Sequence, residues 1–336
     1  MNTKGILVIS LDFELNWGVH DCLPLERYQD NLLGARKVIP MLLERFNKNE
    51  IHATWAIVGF LFYSNKRALL KDIPKSLPNY DNEKLSSYLH LKSIGENEFV
   101  DPVHFGSSLV GLISEHENQE IATHTFSHYY CLEKGQTIQD FEADLMQAIH
   151  VAKRKNKTIK SFVFPRNQVN SAYLKICEKH QITAYRGCER HWLYRAMPGE
   201  DGGLKRAIRL LDSYMNITGD HTYSFTELTR ESKLINVPSS RFLRPYSKRF
   251  RSLERLKLKR IKDSMTKAAI EGGLYHLWWH PHNFGVHIEE NMQMLDAILD
   301  HFLMLKKQYG MESLTMEEVS EKVRSKLKRL SELRLF

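Results

Sequence analysis

The stretch Ile6-Leu7-Val8-Ile9-Ser10-Leu11-Asp12-Phe13-Glu14 decides the fold, because it is an apolar strand that ends in two carboxylates. Residues two apart on a strand point to the same side, so Asp12 and Glu14 can converge on one point. The carboxyl ends of parallel strands are where α/β barrels hold their catalytic groups. The stretch therefore predicts paired functional acids at that edge of a sheet, with simple capping of the next helix as the alternative.

Further short apolar runs alternate with amphipathic segments along the chain. The other strand candidates are His52–Val58, Glu120–Thr123, Ser161–Phe164, Ile182–Arg186, Leu234–Val237 and Leu274–Trp279. The helix candidates are Asn31–Phe46, Ile138–Lys153, Ala172–Lys179 and Asn291–Leu305. Such alternation predicts an α/β protein built from parallel βα units. Seven strands favour a distorted (β/α)7-type barrel with helical insertions over an open two-sided sheet.

The length of 336 residues suits one barrel with additions. We predict a single barrel domain over residues 1–310, with insertions near 59–118 and 188–233 that are punctuated by Pro, Gly and aromatic residues. Residues 311–336 are predicted to form a basic C-terminal helix. Thr315 and Glu318 have the spacing of a capping box at its start.

Composition indicates an ordinary globular protein, since 42% of the residues are hydrophobic and 26% are charged. No segment approaches the roughly 18 apolar residues of a membrane span, and the first apolar run is too short for a signal peptide. The four cysteines show no C-x-x-C pair. We therefore expect a cytoplasmic location.

The net charge of +8 is concentrated in one segment, residues 241–262, which holds ten Lys and Arg against one acid, Glu254. Such a segment suits nucleic acid, anionic lipid or a phosphate-bearing substrate, and a solvated helix face equally well. It contains no nucleic-acid motif, so no specific nucleic-acid partner is expected. Our hypothesis is contact of Lys257, Lys259 and Arg260 with a substrate pyrophosphate. The basic C-terminal helix is a candidate for peripheral membrane contact.

Histidines are concentrated after two of the predicted strands. His124 and His128 follow Glu120–Thr123 at the i, i+4 spacing that lets two imidazoles bind one metal ion. With one carboxylate they form a ligand set that suits a catalytic zinc or a similar divalent ion. His280 follows the last strand run, on the same face as His276. Hydrogen-bonded core histidines are the alternative for each.

Phe162-Val163-Phe164-Pro165-Arg166-Asn167 is an apolar run that ends in polar residues. An arginine there can pair with a catalytic carboxylate and hold it ionised, or form a structural salt bridge.

In this order the segments resemble the motifs of the polysaccharide deacetylase family, carbohydrate esterases that include chitin and peptidoglycan deacetylases. The resemblance implies a distorted (β/α) barrel, a catalytic base, metal ligands, an arginine that contacts the base and a histidine general acid. It places these roles on Asp12 as base, Glu14, His124 and His128 as ligands of a divalent metal such as Zn²⁺, Arg166, and His280. The chain departs from the family in its Asp-Phe-Glu spacing and in having no Tyr after Arg166.

The resemblance also implies a substrate, an amino sugar in a surface-carbohydrate precursor such as that of lipopolysaccharide, carried on a nucleotide or a lipid. The expected reaction is hydrolysis of an N-acyl group, acetyl first. N-deformylation, cyclic-amide hydrolysis, a sugar-binding pseudoenzyme and a nucleic-acid-binding protein are the alternatives. The candidate substrate-binding residues are Trp279, His282, Asn283 and Asn167.

Overall fold

The computed structural model describes residues 4–199, 202–229 and 233–333. Its strands are β1 (Ile6–Phe13), β2 (Ala53–Ile57), β3 (Gln119–Thr123), β4 (Ser161–Val163), β5 (Ala184–Arg186), β6 (Ile235–Asn236), β7 (Arg241–Phe242), β8 (Leu274–Trp279) and β9 (Glu312–Ser313). Its helices are α1 (Leu25–Lys48), α2 (Lys66–Lys71), α3 (Ser87–His90), α4 (Ser107–Ser114), α5 (Ile138–Lys153), α6 (Ser171–Lys179), α7 (Gly203–Asp212), α8 (Phe225–Leu228), α9 (Glu254–Glu271), α10 (Ile288–Tyr309) and α11 (Met316–Leu333). Parts of the predicted domain (residues 1–3), of the insertion 188–233 (residues 200–201 and 230–232) and of the C-terminal helix (residues 334–336) lie outside the described residues.

The sheet is parallel, and its strands follow one another in the order β6-β5-β4-β3-β2-β1-β8-β7, with β9 added beside the start of β1. The seven predicted strands correspond to β1 to β6 and β8. Their connections are long enough for helices, as parallel pairing requires. The four predicted helices are present as α1, α5, α6 and α10, which confirms the α/β class.

The segment 235–243 closes the sheet into a barrel. At its start, the amide of Val237 donates to Tyr185 O beside β5 at 2.8 Å. Further along, the amides of Ser240 and Leu243 donate to His276 O and Trp278 O of β8, each at 2.8 Å. β6 and β7 are thus two ends of one segment that connects β5 to β8. The result is the distorted seven-stranded (β/α) barrel expected from the sequence.

The barrel interior is apolar at the amino ends of the strands. Ile6 and Val8 of β1 meet small or branched side chains from the other strands, and α11 covers this end. The apolar residues of α11 buried there are Met316, Val319 and Val323. Thr315 and Glu318 form the predicted reciprocal hydrogen bonds at the start of α11. No described helix is long and apolar enough to cross a bilayer.

The interior becomes polar toward the carboxyl ends of the strands. Following Val8, the next inward residues of β1 are Ser10 and Asp12, both buried. The helices pack on the outside of the barrel, where the outward residues of β1 and β8 join the larger apolar core. The fold therefore collects buried polar groups at one end of the barrel, and this end carries the candidate site.

Candidate active site

Asp12 is held by an arginine from the opposite side of the barrel. Arg186, the last residue of β5, donates from Nη1 to Asp12 Oδ1 and from Nη2 to Asp12 Oδ2, each at 2.7 Å. Both side chains are buried. Burial raises the pKa of Asp12, but the charge and hydrogen bonds of Arg186 outweigh it and hold that pKa below its usual value. Asp12 is therefore an ionised carboxylate at neutral pH.

The prediction that Arg166 contacts Asp12 is wrong. Arg166 forms an ion pair with Asp21, and its guanidinium lies 4.5 Å from the ring centre of Tyr130. Arg166 lies in a short 3₁₀ turn after β4 with a positive φ of 52°, which directs it along the cavity wall rather than to the barrel floor. Arg186 was not predicted from the sequence to contact Asp12, although its position at the end of an apolar strand, at the catalytic edge of the sheet, indicated such a role.

Neutral polar groups fix the orientation of the Asp12–Arg186 pair. His276 of β8 lies with Nδ1 3.0 Å from Val237 O and Nε2 2.8 Å from Ser10 Oγ. Since a carbonyl only accepts, Nδ1 carries the proton, and the Ser10 hydroxyl donates to Nε2. Ser10 Oγ in turn accepts from Arg186 Nη1 at 3.0 Å. Burial lowers the pKa of His276 to about 3, which keeps this network neutral.

Glu14, His124 and His128 meet around one point, as the sequence predicts. Glu14 Oε2 lies 3.2 Å from His124 Nε2 and 3.1 Å from His128 Nε2. All three residues are buried, each at most 3% exposed. Two ligands about 2.1 Å from a tetrahedral ion are separated by roughly 3.4 Å, close to the spacing observed here.

The hydrogen bonds of His124 support a cation at this point. His124 Nδ1 lies 2.9 Å from Val163 O and must donate to it, so Nε2 of the neutral ring carries a lone pair. That lone pair faces the Glu14 carboxylate, which has no proton to offer in its ionised form. The contact at 3.2 Å is stabilised when a cation is shared by the two atoms, either a metal ion or a proton on Nε2. The donor set of one carboxylate and two imidazoles fits a divalent metal.

Gly18 makes room for the Glu14 carboxylate. A Cβ at position 18 would lie 2.0 Å from both Cδ and Oε1 of Glu14. Gly18 ends the short 3₁₀ helix that follows β1, so the chain folds back over its own carboxylate. Only glycine tolerates so close an approach.

His280 lies beside both carboxylates. Its Nε2 is 3.4 Å from Glu14 Oε1 and 3.8 Å from Asp12 Oδ2. Its Nδ1 donates to Asn283 Oδ1 at 3.1 Å, and the Asn283 amide donates to the Tyr28 hydroxyl. Asn283, predicted to bind substrate, thus orients the His280 ring while also lining the cavity.

His282 stacks on His280 with ring centres 5.0 Å apart. Burial, followed by the charge of His280, lowers the pKa of His282 to about 3. Glu14, His280 and His282 form a second group close enough to hold a metal ion. We favour the His124 and His128 group, because both of its imidazoles face the same carboxylate oxygen and all its members are buried.

The prediction that Trp279 binds substrate is wrong. Alternation along β8 places His276, Trp278 and His280 on the inner face and Trp279 on the outer face. Trp279 is fully buried and packs on Phe284, whereas Trp278 lines the cavity. The Trp278 ring also lies 4.1 Å from the Arg186 guanidinium. Asn167 does line the cavity, and its Oδ1 accepts from Arg186 Nη2 at 3.0 Å.

A cavity of about 590 Å³ opens above these groups. Its floor holds Asp12, Glu14, His128 and His280, and its walls combine apolar and cationic side chains. The walls include Tyr28, Arg166, Met197, Arg206, Arg209, Phe242 and Trp278.

The prediction for Lys257 and Arg260 is also wrong. Lys257 is buried and donates to the carbonyls of Arg244 and Pro245, so it is not available to a substrate pyrophosphate. Arg260 is buried against Asp212, which also accepts from Arg241. Part of the basic segment 241–262 therefore neutralises an internal carboxylate and links α9 to the end of α7.

Solved structures show the same architecture. A protein assigned to the polysaccharide deacetylases, from Mycobacterium smegmatis, superposes with a TM-score of 0.60 over 97% of this chain and 92% of its own, at 12% sequence identity. The fold is that of the polysaccharide deacetylases.

A second protein assigned to the polysaccharide deacetylases, from Pseudomonas aeruginosa PAO1, superposes with a TM-score of 0.53 at 10% sequence identity. The match covers 95% of this chain and 91% of that one. The structure of the allantoinase PuuE superposes with a TM-score of 0.54 at 10% sequence identity, over 95% of this chain and 90% of that one. No protein-family model and no curated protein sequence matches the chain.

The close contact at position 18 yields a prediction about metal affinity. In Gly18→Ala the new Cβ displaces the Glu14 carboxylate, and we expect the affinity for Zn²⁺ to fall by roughly 10–100-fold. Gly111→Ala is the control, since a Cβ at position 111 of α4 meets nothing within 4 Å. Titration calorimetry of both metal-free proteins measures the difference. Equal affinities in Gly18→Ala and the wild type would contradict the assignment of Glu14 as a ligand.

Proposed function

We propose that the protein is a metal-dependent hydrolase that removes an N-acyl group, acetyl first, from an amino sugar in a surface-carbohydrate precursor. The observation that carries the proposal is the convergence of Glu14, His124 and His128 beside an ionised carboxylate and a histidine, on the floor of one open cavity. Amide hydrolysis needs these groups together: a cation, a base and an acid.

Glu14, His124 and His128 would hold a divalent ion, which would supply Lewis acidity toward an acyl oxygen and make water at the site a better nucleophile. Asp12 accepts the proton of the attacking water, since Arg186 keeps it ionised and fixes both of its oxygens. His280 delivers a proton from Nε2 to the leaving amine, with its ring held by Asn283 through Nδ1. Acid and base lie on the same floor, so one amide can reach both.

The cavity supports a carbohydrate substrate. Its volume of about 590 Å³ lies within the range of small-molecule sites. The aromatic faces of Tyr28, Phe242 and Trp278 on its walls suit the apolar faces of sugar rings, and polar side chains between them suit hydroxyl groups. The fold shared with polysaccharide deacetylases supports the same substrate class.

The reaction is tested by a release screen on purified, zinc-loaded protein. Acetate and formate release are measured from nucleotide-linked and lipid-linked amino sugars, with a cyclic amide of the allantoin type as a third substrate. We expect acetate from an amino sugar, and Asp12→Asn to lower kcat by about 10²–10⁴-fold because the proton acceptor is lost. Full turnover by Asp12→Asn would remove the proposed base, and turnover of the cyclic amide alone would replace the proposed reaction.

The two arginines give a second prediction. Arg186→Lys loses the bidentate contact with Asp12, so we expect kcat to fall by about 10²-fold or more. Arg166→Lys is the matched control, because it alters the cavity wall and leaves the Asp12 pair intact. Its kcat should stay within about tenfold of the wild type. Steady-state kinetics on the substrate found in the screen separates the two. A larger loss of kcat in Arg166→Lys would contradict the structural assignment.

A further inference from the structure

Helix α7 presents its apolar face to solvent. Leu204, Ala207, Ile208 and Leu211 have the i, i+3, i+4, i+7 spacing that places them on one side of a helix. Leu204 is 77% exposed and Leu211 is 50% exposed, whereas the apolar face of a helix in a soluble protein normally packs on the core. An exposed apolar patch on a surface otherwise rich in charge indicates an interaction site.

Neighbouring loops extend this apolar surface. Trp192, Met197, Met215 and Ile217 are each at least 50% exposed. Hydrogen bonds bring these loops to α7: Lys205 Nζ donates to Arg195 O, and the amide of Ile217 donates to Asp212 Oδ1. We call the set Trp192, Met197, Leu204, Leu211, Met215 and Ile217 the apolar rim.

The polar face of α7 points into the catalytic cavity. Arg206 and Arg209 line the same cavity as Asp12 and Glu14. Arg206 is two residues from Leu204 and so lies on the far side of the helix from it. Helix α7 therefore has cations on its cavity side and leucines on its outer side, and Met197 belongs both to the cavity wall and to the apolar rim.

Positive charge flanks the rim on the side of Tyr214. The 3₁₀ helix Lys248–Leu253 lies beside it, with the Phe250 ring centre 5.9 Å from that of Tyr214. Lys248, Arg249, Arg251 and Arg255 are exposed there. Three described acids near the rim are paired with cations: Asp212 with Arg241 and Arg260, Glu254 with Lys257, and Asp220 with Lys267. A fourth, Glu133, accepts from the amide of Gly199. Glu200 and Asp201 lie outside the described residues.

We propose that the apolar rim and the basic 3₁₀ helix dock onto an anionic membrane surface. Apolar side chains flanked by Lys and Arg are the combination that binds such an interface. A second copy of the chain fits poorly, because a two-fold contact would bring two patches of the same positive charge into one interface. Because Met197 belongs to both the rim and the cavity wall, docking in this way brings that wall of the cavity to the membrane surface.

The docking surface indicates that the substrate is carried on a membrane lipid, an inference that rests on the proposed function. A sugar joined through phosphate to a membrane lipid would enter the cavity along the wall that holds Met197, Arg206 and Arg209, with its phosphate at the two arginines and its lipid at the rim. Arg209 would keep its Nε hydrogen bond to Leu193 O and offer its remaining donors. A nucleotide-linked sugar has no apolar part for the rim to contact.

The proposal is tested by co-sedimentation of the full chain with vesicles of phosphatidylcholine, alone and with phosphatidylglycerol. We expect binding to the anionic vesicles that weakens with salt. Leu204→Gln with Leu211→Gln should weaken it by about tenfold or more, and Arg249→Gln with Arg251→Gln by about fivefold per arginine. The matched control is Ile270→Gln with Leu303→Gln, which removes exposed apolar side chains from α9 and α10 and should leave binding unchanged.

Absence of binding to anionic vesicles at low salt, or an equal loss in the control, would overturn the proposal. Dimerisation in sedimentation velocity that Leu204→Gln with Leu211→Gln abolishes would overturn it in favour of a second copy. Vesicle binding requires no turnover, so its failure is distinct from failure of the acyl-release screen.

Discussion

Two carboxylates buried side by side at the end of β1 are the constraint on which the site depends. Asp12 and Glu14 are 2% and 3% exposed, so each needs positive charge close by. Arg186 supplies this positive charge for Asp12 from across the barrel, and the geometry of His124 and His128 suits a cation beside Glu14. The ring of parallel strands is what brings these distant residues to one floor.

The features of the site that follow from side-chain alternation and from the order of the strands could be predicted from the sequence. Alternation along β1 placed Asp12 and Glu14 on one side. The pairing of His124 and His128 was predicted from a helical i, i+4 spacing, but both rings reach Glu14 from a non-helical loop with a positive φ at His128. The arginine that holds Asp12 was not predictable in the same way. Arg166 and Arg186 both follow apolar runs, and only the backbone turn after β4, with its positive φ, sends Arg166 to Asp21.

The errors on Trp279 and on the basic segment have different causes. The orientation of Trp279 could have been predicted, because side-chain alternation from His276 and His280 assigns it to the outer face of β8. The burial of Lys257 and Arg260 could not be predicted from the sequence. Lys257 has a local partner in Glu254, but its contacts with the carbonyls of Arg244 and Pro245, and the pairing of Arg260 with Asp212, form only in the folded chain. Charge counted along a chain cannot separate a solvated cation from one that neutralises a buried acid.

Anomalous X-ray scattering from crystals soaked with Zn²⁺ would locate the metal site. We expect one ion within about 2.0–2.2 Å of His124 Nε2, His128 Nε2 and a carboxylate oxygen of Glu14. An ion held by Glu14, His280 and His282 instead, or no ion at this floor, would contradict this expectation.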